Sequence, residues 1–348
     1  MKTRILSLLL ALALLCTVLP QFTLSARAEE VYSGACGEHL TWSFDPATGT
    51  LTVAGSGAMC DYIYGFFSDY CYSDIPWDSY RSEILHVVLP AGLTYIGSSA
   101  FYGCTGLTQL TLPAGLTRIG WNAFEGCTGL TQITLPAGLA GIDSSAFKGC
   151  TGLTAFSVAS DNPNFSSNAG VVFNKEGSEL VLYPCGRTGA YTVPAGVTSI
   201  GGGAFEDCTG LTQITLPDAL TRIGGYAFGY CTGLTQLTFP DGLTYIGDGA
   251  FSDCTGLTQI TFPDGLTAIG WHAFHECTGL TDVVIPASVT EIGGLTFGYW
   301  WDDDDGNCKP IAGFKIYGYK GTAAQTYAQE NGFRFIPLDP HAGFSYSI

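Results

Sequence analysis

Cysteine recurs along this chain at an interval of 23 residues: Cys104, Cys127 and Cys150, then after a longer gap Cys185, Cys208, Cys231, Cys254 and Cys277. Each interval reads close to C-T-G-L-T-Q-I-T-L-P-x-G-L-T-x-I-G-x-x-A-F-x-x. Self-similarity at this length scale specifies an array of stacked units, because a single unit is too short to bury its own apolar face. The frame runs back to Ile84, Val87, Leu89 and Pro90, with Arg81 in the Cys slot. It runs forward, after an insertion, to Cys308, Ile311, Phe314 and Ile316, which makes nine to ten coils.

Within a coil the L-x-x-I-x-L segment, for example Leu130, Ile133 and Leu135, reads as a strand. Pro136 ends it, because proline cannot donate to a sheet ladder. Tight turns follow at positions such as Gly138 and Gly120, and Ile119, Ala123 and Phe124 return along the opposite side. Coils stacked at about 4.8 Å share one continuous core. Each inward side chain then contributes on the order of 1.5–3 kcal/mol when fully buried. With 47 glycines and only 12% charged residues, the composition fits short strands and tight turns rather than amphipathic helices.

The string L-x-x-I-x-L-P followed by I-G-x-x-A-F-x-x-C resembles the BspA-like bacterial leucine-rich repeats with treponemal-type units, over roughly Arg81 to Leu338. Gly34-Ala35-Cys36-Gly37 through Trp42 to Met59 resembles that family's N-terminal cap, and Gly318-Tyr319-Lys320-Gly321 with Tyr327 to Gly332 its C-terminal one. The resemblance implies a curved leucine-rich-repeat solenoid, mainly β with short turns or helical segments and a small β-rich N-terminal cap. It also implies that the L-x-x-I-x-L strands line the concave face, and that the role is of an adhesion type.

The chain divides accordingly into a signal peptide at 1–28, an N-terminal cap at 29–81, repeats at 82–338 and a tail at 339–348. Lys2 and Arg4 precede the apolar run Ile5 to Val18, and Ala26-Arg27-Ala28 supplies a cleavage site. Cys16 follows Leu15 inside the apolar run, which argues against a lipid-modified N-terminus. Cleavage near Glu29 removes three of the 13 basic residues and leaves 30 acidic ones, so the net charge falls from −17 to −20. Such a charge repels nucleic acid and anionic membranes, and no later stretch is long and apolar enough to span a bilayer. Two insertions interrupt the repeat. One, near 159–184, reads as a hairpin through Val171-Val172-Phe173 and Leu180-Val181-Leu182; the other is acidic, near 299–306, ahead of a C-terminal cap at 311–338.

Three constellations invite chemistry. The Cys column has Cα atoms within disulfide reach, but parallel Cβ vectors disfavour bridges and zinc wants converging ligands, so buried reduced thiols are expected. Cys36, Cys60 and Cys71 lie apart in the cap, where Cys60–Cys71 is a plausible bridge. His272 and His275 occupy slots that vary between coils, and solvated surface is the expectation for both. Asp302, Asp303, Asp304 and Asp305 form a weak Ca²⁺ candidate, lacking the alternation and final Glu of an EF-hand. The other histidines, His39, His86 and His341, are scattered, and no G-x-S-x-G is present. Neither catalysis nor a cofactor is expected.

What remains is surface. The outward residues of the strand are Gln109 and Thr111, Gln132 and Thr134, Gln213 and Thr215, Gln236 and Thr238, and Gln259 and Thr261, with Asp282 and Val284 near the end. They form the candidate binding face, hydrogen-bonding in character and suited to an extended partner. The return side carries Trp121, Tyr226, Tyr230, Trp271, Tyr299, Trp300 and Trp301, either for contact or for packing between turns. The function expected is a secreted or cell-surface binding protein, non-enzymatic, meeting an extracellular protein or glycan. The alternative is a polysaccharide-binding module accessory to extracellular carbohydrate breakdown.

Overall fold

A computed structural model describes residues 32–62, 75–304 and 306–339. Residues 1–28, expected to be a signal peptide, Cys71 with its expected bridge, Asp305, His341 and the tail from 340 lie outside the described residues. From Ser33 onward the chain clusters as one unit, a β-solenoid of about 11 turns whose described residues include one α-helix, Ala323–Glu330.

The turn number exceeds the nine to ten coils of the Cys frame because both caps continue the ladders. In the N-terminal cap, Leu40–Asp45 pairs antiparallel with Thr50–Ala58. The latter strand is long enough to start both faces, pairing Thr50–Thr52 with His86–Val88 and Ser56–Ala58 with Gly92–Tyr95. At the other end Lys315–Gly318 and Arg334–Pro337 add two parallel strands to Asp282–Val284.

The return side carries a ladder of its own, which the repeat pattern alone left as a turn. Ser199–Ile200, Arg222–Ile223, Tyr245–Ile246, Ala268–Ile269 and Glu291–Ile292 pair in parallel, each with the residue 23 positions on. Threonines just before these strands reinforce it: Thr221, Thr244 and Thr267 each donate Oγ1 to the carbonyl of the preceding coil's equivalent residue, at 2.9–3.1 Å. On the L-x-x-I-x-L side the strands associate only in short separate groups, such as Gln132–Leu135 with Ala155–Val158 and Gln236–Thr238 with Gln259–Thr261.

Between the faces runs a column of aromatic rings. Trp77, Phe101, Phe124 and Phe147 stack at centroid distances of 5.2–5.8 Å. Tyr183, Phe205, Phe228, Phe251, Phe274 and Phe297 continue it at 4.7–5.1 Å. Beside the rings stand the cysteines. Cys127, Cys150, Cys231, Cys254 and Cys277 each donate a thiol to the Phe carbonyl 26 residues back, at 3.0–3.2 Å. Sulfur here fills a small apolar slot and satisfies a carbonyl on the coil above. Burial pushes the thiols of Cys104, Cys150 and Cys254 up to about 12. Brief alkylation of the native protein at mildly alkaline pH should therefore spare this column and modify half-buried Cys308. Peptide mapping that finds Cys231 or Cys254 labelled as fast as Cys308 would contradict a closed core.

One rung departs from the expected reduced column: Cys185 and Cys208 are joined as a disulfide, with Cα atoms 4.3 Å apart. Cys185 is reached from the strand Glu179–Leu182 through Tyr183 and Pro184, not through the A-F turn that precedes its counterparts. The parallel-side-chain argument does not hold for a residue entering from another direction. This is also where the insertion alters the stack. Phe165–Asn168, Val171–Asn174 and Glu179–Leu182 form an antiparallel meander that joins the return ladder at Ser199–Ile200.

With one A-F turn replaced, the edges of two sequence-distant coils meet directly, and the contact is polar. Ser145 donates Oγ to Glu206 Oε2, and Lys148 Nζ lies 3.5 Å from both Glu125 Oε1 and Glu206 Oε1. Tyr230 covers this lysine, its ring centroid 4.5 Å from Nζ.

Candidate functional site

The strand alternation places every candidate residue outside. Gln109, Thr111, Gln132, Thr134, Gln213, Thr215, Gln236, Thr238, Gln259 and Thr261 are all exposed. Leu110, Ile133, Ile214, Leu237 and Ile260, between them, are buried. A period of two on a strand with one buried face has this consequence. Gln236 stands beside Gln259 and Thr238 beside Thr261. The row of amides is interrupted at the insertion, where Ala155 stands beside Gln132 and Ala190 beside Gln213. The face therefore carries two Gln/Thr patches rather than one uniform row.

The second patch is hollowed. A depression of about 1010 Å³ is lined by Gln213, Thr215, Gln236 and Thr238, and also by Asp218 and Asp241. These carboxylates escaped the sequence reading, although a signal was present. The slot after the strand-ending proline holds Ala114 and Ala137 in early coils, but Asp218, Asp241 and Asp264 in three successive later ones. All three are exposed. Amides and hydroxyls offer donors and acceptors, and the carboxylates add acceptors for a cationic group.

Other expected positions move. His275 is not solvated: it is buried, and its Nε2 lies 3.3 Å from Cys308 Sγ. Burial, with His272 beside it, lowers its pKa. The acidic insertion forms a hairpin, Tyr299–Asp302 against Asn307–Pro310, and lays Cys308 over that edge. Cys308 is thus not a rung of the inward column, because the hairpin takes up its part of the frame. The same hairpin occupies Asp302, which pairs with Lys309 and accepts the Asp304 backbone N–H at 2.9 Å. Asp303 and Asp304 sit in the turn. Among the described residues, no group of three or more His, Cys, Asp or Glu side chains is arranged to hold a metal ion.

On the return side, Trp121, Tyr226, Tyr230, Trp271, Trp300 and Trp301 are exposed. Tyr299 is half-buried and hydrogen-bonds Asn331 Oδ1 at 2.9 Å. No helix among the described residues is long and apolar enough to cross a membrane.

Known proteins bear on this geometry in two ways. Residues 79–175 and 178–300 match the BspA-type leucine-rich repeat region in six copies. The crystal structure of the pneumococcal vaccine antigen PcpA is similar over 89% of this chain and 99% of its own, with 18% identity and a TM-score of 0.56. A leucine-rich-repeat protein of Eubacterium ventriosum shares 23% identity over 76% of this chain and 94% of its own, with a TM-score of 0.41. A leucine-rich cell-surface protein of Faecalibacterium prausnitzii shares 23% identity over 84% and 96%, with a TM-score of 0.46. No curated protein matches the chain. The matched repeat region spans most of the solenoid, and the chain belongs to the BspA-type leucine-rich-repeat family.

Proposed function

We propose that this chain is an exported, non-enzymatic binding protein, secreted or held at the cell surface, whose Gln/Thr face receives an extended, basic polypeptide segment. The observation that carries the reading is the depression at Gln213, Gln236, Thr215 and Thr238 with Asp218 and Asp241 in its lining. An extended segment laid across stacked strands meets an amide and a hydroxyl on each coil, while aligned carboxylates select for Lys and Arg. The net charge of −17 adds long-range attraction for the same class of partner. Export accords with the basic and apolar N-terminal segment and with the description of the Faecalibacterium prausnitzii relative as a cell-surface protein.

Fluorescence anisotropy against a panel of unstructured Lys/Arg-rich peptides and their Glu-substituted counterparts tests this. Saturable binding is expected for basic members only, weakening as salt rises. Asp218→Asn with Asp241→Asn should lower affinity by about tenfold, as two partly screened charges allow. Equal binding by the acidic counterparts, or affinity unmoved by the paired substitution, would remove the proposal.

A further inference from the structure

We propose a second binding site, for a neutral polysaccharide chain, on the turn edge of the solenoid at Tyr226, Asp248, Trp271 and His272. It shares no residue with the Gln/Thr face and stands without that reading.

Trp271 is 64% exposed, the most exposed of the large apolar side chains among the described residues, and Tyr226 is 45% exposed. Neither ring extends freely into solvent. A Cβ on Gly294 would come within 2.6 Å of Trp271 Cζ3, and one on Gly249 within 2.5 Å of Tyr226 Cε1. Each ring therefore lies over the backbone of the next coil, in space its own repeat slot leaves empty because that slot holds glycine. A ring seated in this way turns its other face to solvent.

The backbone beneath is costly for such residues. Tyr226 has φ +52° and His272 φ +57°, in a slot that is left-handed in other coils as well, where Ser99, Asn122, Ser145, Gly203, Gly249 and Leu295 fill it. Bulky side chains are rare at left-handed φ, which glycine and asparagine tolerate far better. Packing over Gly249 covers only part of the Tyr226 ring, which stays 45% exposed.

Between the rings lies a polar rung. Asp248 is exposed and accepts the Trp271 backbone N–H at 2.8 Å through Oδ1. Tyr226 and Trp271 belong to coils two rungs apart, about 9–10 Å along the stack. The pattern is an aromatic plane, a carboxylate, an aromatic plane and an imidazole along one edge. A protein partner wants a contiguous apolar centre inside a polar rim. A pyranose chain instead presents apolar C–H faces, attracted to the negative face of an aromatic ring, with hydroxyls at each edge for Asp248 and His272. The acidic surface as a whole disfavours anionic glycans.

Affinity electrophoresis of the full exported chain in gels containing hydroxyethylcellulose, galactomannan or arabinoxylan, with polygalacturonate as the anionic control, tests the site. At least one neutral polymer should retard migration. Trp271→Ala and Tyr226→Ala should each weaken that retardation by about tenfold, with cooperative melting preserved because neither ring belongs to the buried core. Gln213→Ala with Gln236→Ala should leave it intact. Failure of all three neutral polymers would overturn the proposal. So would preference for polygalacturonate, retention in the Trp271→Ala/Tyr226→Ala double variant, or loss through the Gln variant instead. If the double variant impairs capture of the basic peptides while no neutral polymer retards the protein, the edge is a protein contact.

Discussion

Replacing Phe228 with alanine is expected to destabilise the solenoid by about 4 kcal/mol and to divide its unfolding into two steps. Phe228 is fully buried, stacked 4.7 Å from Phe205 and 5.0 Å from Phe251. Truncation removes the apolar contribution of a whole ring and leaves a cavity that neighbours held by ladders on two faces cannot collapse into. Stacking above and below adds roughly 0.5–1.5 kcal/mol for each ring pair. Because a coil contacts only its neighbours, the loss weakens two adjacent interfaces and leaves the rest intact. Denaturant unfolding followed by tryptophan fluorescence separates the ends, since Trp42 and Trp77 report on one and Trp271, Trp300 and Trp301 on the other. Phe228→Leu, which keeps most of the volume, should cost about 1–1.5 kcal/mol and preserve a single transition. An alanine variant with the wild-type midpoint would show that the ring column does not join the coils.

The second large effect is expected at Lys148. Lys148→Met should destabilise by about 3 kcal/mol at neutral pH, because it leaves two mostly buried carboxylates without their cation. Burial is the largest influence on Glu206, Glu125 and Asp207 and raises all three carboxyls above their usual range, with Lys148 opposing it. Burial works against the charge on Lys148 as well, but Glu206 and Glu125 outweigh it and raise its pKa. The sign of the pH dependence follows from the carboxyls. A group that binds its proton more tightly in the folded state contributes stability that is complete below its unfolded value and lost as pH rises through its folded one. The wild-type cluster should therefore gain stability as pH falls from neutrality. In Lys148→Met the carboxyls rise further, so its deficit should be largest at pH 7 and shrink toward the unfolded Glu value of 4.5. Urea midpoints at several pH values read this directly, and adding Glu206→Gln should restore part of the loss at neutral pH. A deficit that stays constant with pH would assign the effect to lost packing rather than to uncompensated charge.

The sequence exposed the fold because its period has one physical solution. Ile133, Phe124 and Cys127 and their counterparts in the regular coils point inward, and the Gln and Thr residues alternate out of the same strands. Less was legible where a residue's neighbour depends on something other than the period. Asp218, Asp241 and Asp264 are visible as a change of composition at one slot, but the place of Asp218 and Asp241 beside Gln213 and Gln236 emerges only when strand and turn are folded together. His275 read as surface because its slot varies, yet the hairpin from Tyr299 to Pro310 covers it.

By itself, then, the sequence determined the stacked architecture, the inward set of side chains and the hydrogen-bonding character of one face. A repeat encodes nearest-neighbour contacts by its register, so equal spacing specifies which residues lie above one another. The tertiary structure alone decided the second ladder, the Cys185–Cys208 link, the Ser145–Glu206–Lys148 cluster and the seating of Tyr226 and Trp271 over glycines. The first depends on a short turn closing against its neighbours, the next two on an insertion that abolishes the common register, and the last on empty space in an adjoining coil.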